Sequence, residues 1–170
     1  MYRIAVITNF LGEIKNRFIT YHENRTLPQK FEIAKKIDGV TGVELAYPQD
    51  FTDYELLKKL LKDYHLEISA INFRSRRSGQ WFRGSFTSAI ERERREVVDD
   101  MKKCVDYARD LGCDKITTCP LNEGVDYIFE MDYESAYRFL EETIREVAEY
   151  AKEIKICLEY KFSEPRARSI

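Results

Sequence analysis

Along this chain a short apolar run gives way to apolar residues at helical spacing, and the alternation recurs to the end. The run 4–7 is followed by a polar loop through Asn16 and His22. Leu27, Phe31, Ala34 and Ile37 then recur at helical spacing, with Pro28 suited to the first turn of a helix. A second apolar run, 43–47, is stopped by Pro48, and Thr52 with Glu55 reads as a capping box for a helix carrying Leu56, Leu57, Leu60 and Leu61. The third run, 68–73, opens into the longest polar loop, where Trp81 and Phe82 lie among arginines and between Gly79 and Gly84. Loops of that length are usually functional or mobile.

Ser88 and Glu91 read as another capping box. Val97, Met101, Val105, Ala108 and Leu111 mark the apolar face of a long helix ending at Gly112, and its charged opposite face is expected to meet water. A fourth strand, 115–119, is stopped by Pro120. A helix beginning near Asp132 places Ala136, Leu140, Ile144, Val147 and Ala151 inward, and a fifth strand follows at 154–158. Crossover connections of this kind demand parallel strands with helices outside. Two architectures share the alternation. A doubly wound sheet would normally carry a Gly-rich phosphate turn after its first strand, but Thr8-Asn9-Phe10-Leu11-Gly12 matches neither the dinucleotide nor the P-loop pattern. The expected fold is therefore a (β/α)8 barrel. Such a barrel takes about 250 residues, so residues 1–170 read as the N-terminal portion of one barrel domain, with five strands and four helices. Its open sheet edges would need cover from a second copy or from a C-terminal half.

Composition changes this picture little. With 44% hydrophobic and 34% charged residues the chain reads as an ordinary globular sequence. A net charge of -2 gives no field for general nucleic-acid binding, and the arginines at 74, 76, 77 and 83 suit an anionic or polyhydroxy ligand equally well. Cys104, Cys113, Cys119 and Cys157 are irregularly spaced and read as reduced thiols in a cytoplasmic protein. With neither a signal peptide nor an apolar span of about 18 residues, no membrane partner is expected.

Candidate chemistry gathers at strand ends, where barrel enzymes place their active groups. Glu159 and Lys161, two positions apart after the fifth strand, would share one side of an extended backbone. The carboxylate is a hard ligand for a divalent ion, and the ammonium can donate to a sugar oxygen; an ordinary surface charge pair is the alternative. Glu44, inside Val43-Glu44-Leu45-Ala46, either points toward a substrate pocket or forms a structural salt bridge. Asn9, Asn72, Arg74, Thr118 and Asn122 follow strand ends and could read hydroxyl groups. Trp81, Phe82 and Phe86 either wall a sugar ring or pin the long loop. Glu67 and His65 start the third strand and belong to the opposite, structural end; His22 reads as a solvated loop residue. No His-x-x-His or Cys-x-x-Cys pattern announces a zinc site.

Gly42-Val43-Glu44-Leu45, Gly84-Ser85-Phe86-Thr87-Ser88, Ala108-Arg109-Asp110-Leu111-Gly112-Cys113 and the stretch from Leu158-Glu159-Tyr160-Lys161 to Glu164-Pro165-Arg166 together resemble the xylose isomerase-like family of TIM barrels. That family holds sugar isomerases, sugar epimerases, inosose-processing enzymes and a branch of DNA-repair endonucleases. The resemblance implies that Glu159 binds a divalent ion, Mn²⁺ first, with Mg²⁺, Co²⁺ or Zn²⁺ as alternatives. It also implies that Lys161 stands near the reacting oxygen, as in rhamnose isomerase-like proteins. The implied parent activity is aldose–ketose isomerisation of a small sugar or polyol, with a 3-epimerase or dehydratase as one alternative and a non-catalytic half-barrel assembly module as another. Asn72-Phe73-Arg74 and Cys119-Pro120 stand where the endonuclease branch carries histidines, which disfavours DNA repair. The remaining metal ligands would come from strands beyond the fifth, so the chain by itself is expected to lack a complete site.

Overall fold

The computed structural model describes residues 3–15, 20–75, 77, 80–81, 84–120 and 127–160. In chain order the elements are β1 (Ile4–Ile7), a 3-10 turn (Thr8–Leu11), β2 (Ile14–Lys15), β3 (Thr20–Tyr21), α1 (Leu27–Lys36), β4 (Val40–Tyr47), α2 (Tyr54–Tyr64), β5 (Glu67–Phe73), α3 (Glu91–Asp110), β6 (Lys115–Thr118), α4 (Tyr133–Ala151) and β7 (Lys155–Leu158). The strands β1-β4-β5-β6-β7 form one sheet in that order. Pairing is parallel between β1 and β4 and between β6 and β7. A doubly wound sheet reverses its strand order part-way. Here the order follows the chain without reversal, which makes the fold an incomplete (β/α) barrel. The predicted polar loop after β1 instead carries the short antiparallel pair β2–β3.

The chain divides into two compact units, Met1–Asn72 and Phe73–Ile170. In the first, Thr26 and Gln29 form a capping box that starts α1, with Pro28 in the first turn. Phe31 and Ala34 of α1, Leu57 and Leu60 of α2, and Val43, Leu45 and Ala46 of β4 make the core. Burying a side chain such as Phe31 or Leu57 contributes about 2 kcal/mol. Gly42 permits a close approach of strands, because a Cβ there would lie 2.7 Å from the Glu67 carbonyl oxygen. The cap of α2 is Asp53, whose carboxylate accepts the Leu56 N–H at 3.0 Å. The expected cap, Thr52, lies one residue too early and donates to the Gln49 carbonyl instead. Glu67 pairs with Arg3 at 2.5 Å on the surface, and His65 closes α2 in a left-handed conformation with φ 50.

In the second unit, Val97, Val98, Met101, Cys104, Val105 and Ala108 form the buried stripe of α3. They share a core with Ile116, Phe73, Phe86, Ala136, Val147 and Ala151. Burial holds the Cys104 thiol well above its ordinary pKa. Ser88 does not pair with Glu91 as a capping box. Its hydroxyl accepts the Ile90 N–H at 3.1 Å and donates to Glu93 at 2.6 Å, because α3 begins only after Ile90. The helix expected to begin near Asp132 does so, and Asp132 caps it by accepting from the Ser135 N–H. The charged face of α3 is not wholly solvated. Arg95 and Lys102 both reach Glu146 of α4, at 2.5 and 2.6 Å, and Arg109 reaches Glu153 at 2.9 Å. Hydrogen bonds from Lys102 and then Arg95 hold the Glu146 carboxyl below the usual carboxylate range. Cys104 and Cys113 are buried, Cys119 is half-buried and Cys157 is exposed, and all four are free thiols.

Candidate functional site

At the C-terminal end of β1 the chain turns sharply through Thr8–Leu11. Asn9 is half-buried in that turn, and Phe10 beside it is 55% exposed. Glu44 lies opposite Ile7 in the register of β1 with β4 and is half-buried, and its carbonyl oxygen lies 3.1 Å from the Thr8 hydroxyl. Asn9 and Glu44 thus share one strand end in the first unit. Asn72 is half-buried in the last turn of the pleat of β5.

A buried carboxylate that sequence reasoning passed over organises this end. Asp50, 2% exposed, accepts the Ala46 N–H at 2.8 Å and the hydroxyl of Thr8, and faces the Lys30 ammonium at 3.3 Å. Its sequence signal is a lone acid between the buried aromatics Tyr47 and Phe51, where a charge requires a partner. Further along the turn, Arg25 donates to the Leu11 carbonyl at 2.9 Å.

In the second unit, β6 and β7 end side by side, with Thr118 opposite Leu158. Glu159 follows directly, and its N–H donates to the Thr118 carbonyl at 2.8 Å, extending the ladder by one residue. Its side chain is exposed, as is that of Tyr160. Thr118 is fully buried, and its hydroxyl donates to the Phe73 carbonyl at 3.0 Å. Thr118 and Glu159 are therefore brought together. Lys161, Asn122 and Phe82 lie outside the described residues.

Trp81 is drawn toward α3. The ring is 6% exposed, its N–H donates to Glu96 at 3.3 Å, and the Arg77 guanidinium stands 4.8 Å from the ring centroid while pairing with Asp100 at 2.5 Å. The residue holds φ 52, a conformation rare for an aromatic residue, and these contacts over-determine it. Phe86 is fully buried, 6.0 Å from the Phe73 ring. For Trp81 the contacts described run to Glu96 and Arg77, and for Phe86 to Phe73.

Glu159 offers carboxylate oxygens to a hard divalent ion. Among the described residues, no three His, Cys, Asp or Glu side chains gather as a metal site. The described residues therefore fit such an ion as one donor and not as a whole coordination sphere.

The profile of the xylose isomerase-like TIM barrel family matches residues 31–165. The chain belongs to that family. Comparison with curated proteins finds no match. Among solved structures, a D-tagatose 3-epimerase-like protein matches with TM-score 0.70 at 16% identity, over 98% of this chain and 55% of that one. An AP endonuclease of family 2 from Brucella melitensis gives 0.66 at 23% identity, over 98% and 59%. The D-allulose 3-epimerase of Methylomonas sp. gives 0.62 at 19% identity, over 82% and 46%. At these identities the likeness establishes the fold, and the chain spans about half the length of the structures it matches. None of these three is a rhamnose isomerase, so the finer expectation drawn from Glu159-Tyr160-Lys161 gains no support from them. No helix among the described residues is long and apolar enough to cross a membrane.

Proposed function

We propose that the protein containing this chain is a divalent-metal-dependent sugar epimerase acting at C3 of a small ketose. The observation that carries the reading is Glu159, an exposed carboxylate set at the C-terminal end of β7 by its N–H bond to Thr118 in a family barrel, where such folds place their chemistry. Solved structures of this fold named as a D-tagatose 3-epimerase-like protein and a D-allulose 3-epimerase favour epimerisation over the aldose–ketose isomerisation that the Glu159-Tyr160-Lys161 triplet suggests.

Epimerisation removes the proton from a carbon beside a carbonyl and returns one to the opposite face, through an enediolate. The divalent ion, Mn²⁺ by preference, supplies polarisation of the substrate oxygens when bound. Glu159 would hold that ion, and its carboxylate is a group able to take up and return the proton of the reacting carbon. Asn9 and Asn72 would read ring or chain hydroxyls. Lys161 would balance the carboxylate and support charge on the substrate oxygen. Thr118, with its hydroxyl committed to Phe73, would set the strand end from which Glu159 projects.

The test uses the full-length gene product with added Mn²⁺ on D-allulose, D-tagatose and L-ribulose in deuterated water. Epimeric ketose with deuterium at C3 is the expected outcome, and Glu159→Gln should slow its formation about 10³-fold. Aldose product, with deuterium at C2 after proton transfer or without it after a hydride shift, would replace the epimerase reading by isomerisation. Cleavage of an abasic DNA duplex with no ketose turnover would instead favour the endonuclease relative, against which the net charge of -2 already weighs.

A further inference from the structure

We propose that Asp50 is a positioning residue that locks the turn after β1, and with it Asn9, in a single conformation. Three donors from three elements converge on its carboxylate: the Thr8 hydroxyl at the start of the turn, the Ala46 N–H near the end of β4, and the Lys30 ammonium from α1. A hydroxyl has one proton to give, and a carboxylate is a stronger acceptor than the nearby Glu44 carbonyl. The Thr8 bond to Asp50 therefore fixes the first residue of the turn.

The same ion pair also grips the far end of the turn. A Cβ on Gly12 would stand 3.0 Å from Lys30 Cε, so the stem of Lys30 packs directly against the backbone where the turn closes. Thr8 and Gly12 bracket Asn9, Phe10 and Leu11, and both are held by the Asp50–Lys30 pair. Only one-hundredth of the Asp50 side chain and about an eighth of the Lys30 side chain reach solvent. A buried pair of this kind gives a fold little stability over an apolar core. What it gives in this place is a fixed backbone geometry for a turn at the catalytic end of a strand. What the turn serves rests on the sugar-site reading above; that the pair holds the turn does not.

The experiment therefore has two arms on the full-length protein. Amide hydrogen exchange is followed in Thr8→Val, Thr8→Ser and Asp50→Asn, and ketose turnover is measured with Mn²⁺ in the same variants. Thr8→Val and Asp50→Asn should speed exchange of residues 8–11 by about tenfold or more beyond any rise in β5 and in β4 apart from Ala46, whose N–H bonds to Asp50. They should raise KM by about tenfold with kcat changed much less, because an amide that binds ground and transition states alike acts on KM. Thr8→Ser, which keeps the hydroxyl, should restore both. Unchanged exchange at 8–11, or exchange quickened evenly across the first unit, would overturn the positioning role. A loosened turn with parental KM would show that the turn is not part of the site. If the parent turns over no ketose, the epimerase reading fails, and the exchange arm still decides whether Asp50 holds the turn.

Discussion

The ends of β1 and β4 and the end of β7 carry their polar groups in opposite ways. At the first, Thr8 and Asp50 are buried and every partner named for them is internal. At the second, Leu158 is 50% exposed and Glu159 is exposed too, its backbone N–H held by Thr118 among the described residues. A buried carboxylate requires several donors and so fixes the backbone around it. An exposed one is stable alone and available to a ligand. The contrast separates a carboxylate that fixes the backbone around it from one that is accessible to a ligand.

The sharpest way to break that contrast is Glu159→Gln in the full-length protein. Turnover should fall about 10³-fold, a size usual for loss of an acid–base or charge-stabilising group, with no change in the urea midpoint. A parental rate would remove Glu159 from the chemistry. Asp50→Ala should do the reverse to stability. It strands the Lys30 ammonium and two donors, and about 3 kcal/mol of folding stability should be lost in urea titration. A loss below about 1 kcal/mol would mean that water replaces the carboxylate readily.

Thr118→Val asks whether depth rather than location decides. Its hydroxyl is as buried as that of Thr8 and serves a single carbonyl, so a loss of about 1 to 2 kcal/mol is expected from the same titration. The smallest effect belongs to Glu146. Its folded pKa is lowered by Lys102 and Arg95, so the stability it contributes is complete above the unfolded carboxylate value and is lost as pH falls through the folded one. The side chains of all three partners are about a quarter to a half exposed, and screening leaves about 0.5 kcal/mol. Glu146→Gln should cost that much stability in urea titration at neutral pH and match the parent in acid.

Much of the fold was legible because it is written in short-range repetition. The five sheet strands and four helices fall where the apolar spacing puts them, β1 to the residue and β4 longer by three. Caps were misread at Thr52 and Ser88, since a cap is chosen by which residue leaves the helical conformation, and side-chain type alone does not reveal that. The site was less legible. Placing Glu159 beside the end of β6 followed from strand order, whereas the inward turn of Trp81 depends on Glu96 and Asp100 of a helix that the loop sequence does not mention.

The sequence by itself determined the alternation of strands and helices and the place of Glu159 just past β7, because periodicity, prolines and strand ends act over a few residues. Only the tertiary structure decided that Thr8, Lys30 and Asp50 meet, since they stand 42 and 20 positions apart and each is unremarkable where it lies in the chain. A buried carboxylate selects its donors by proximity in space, and that proximity exists only once β1, α1 and β4 have packed.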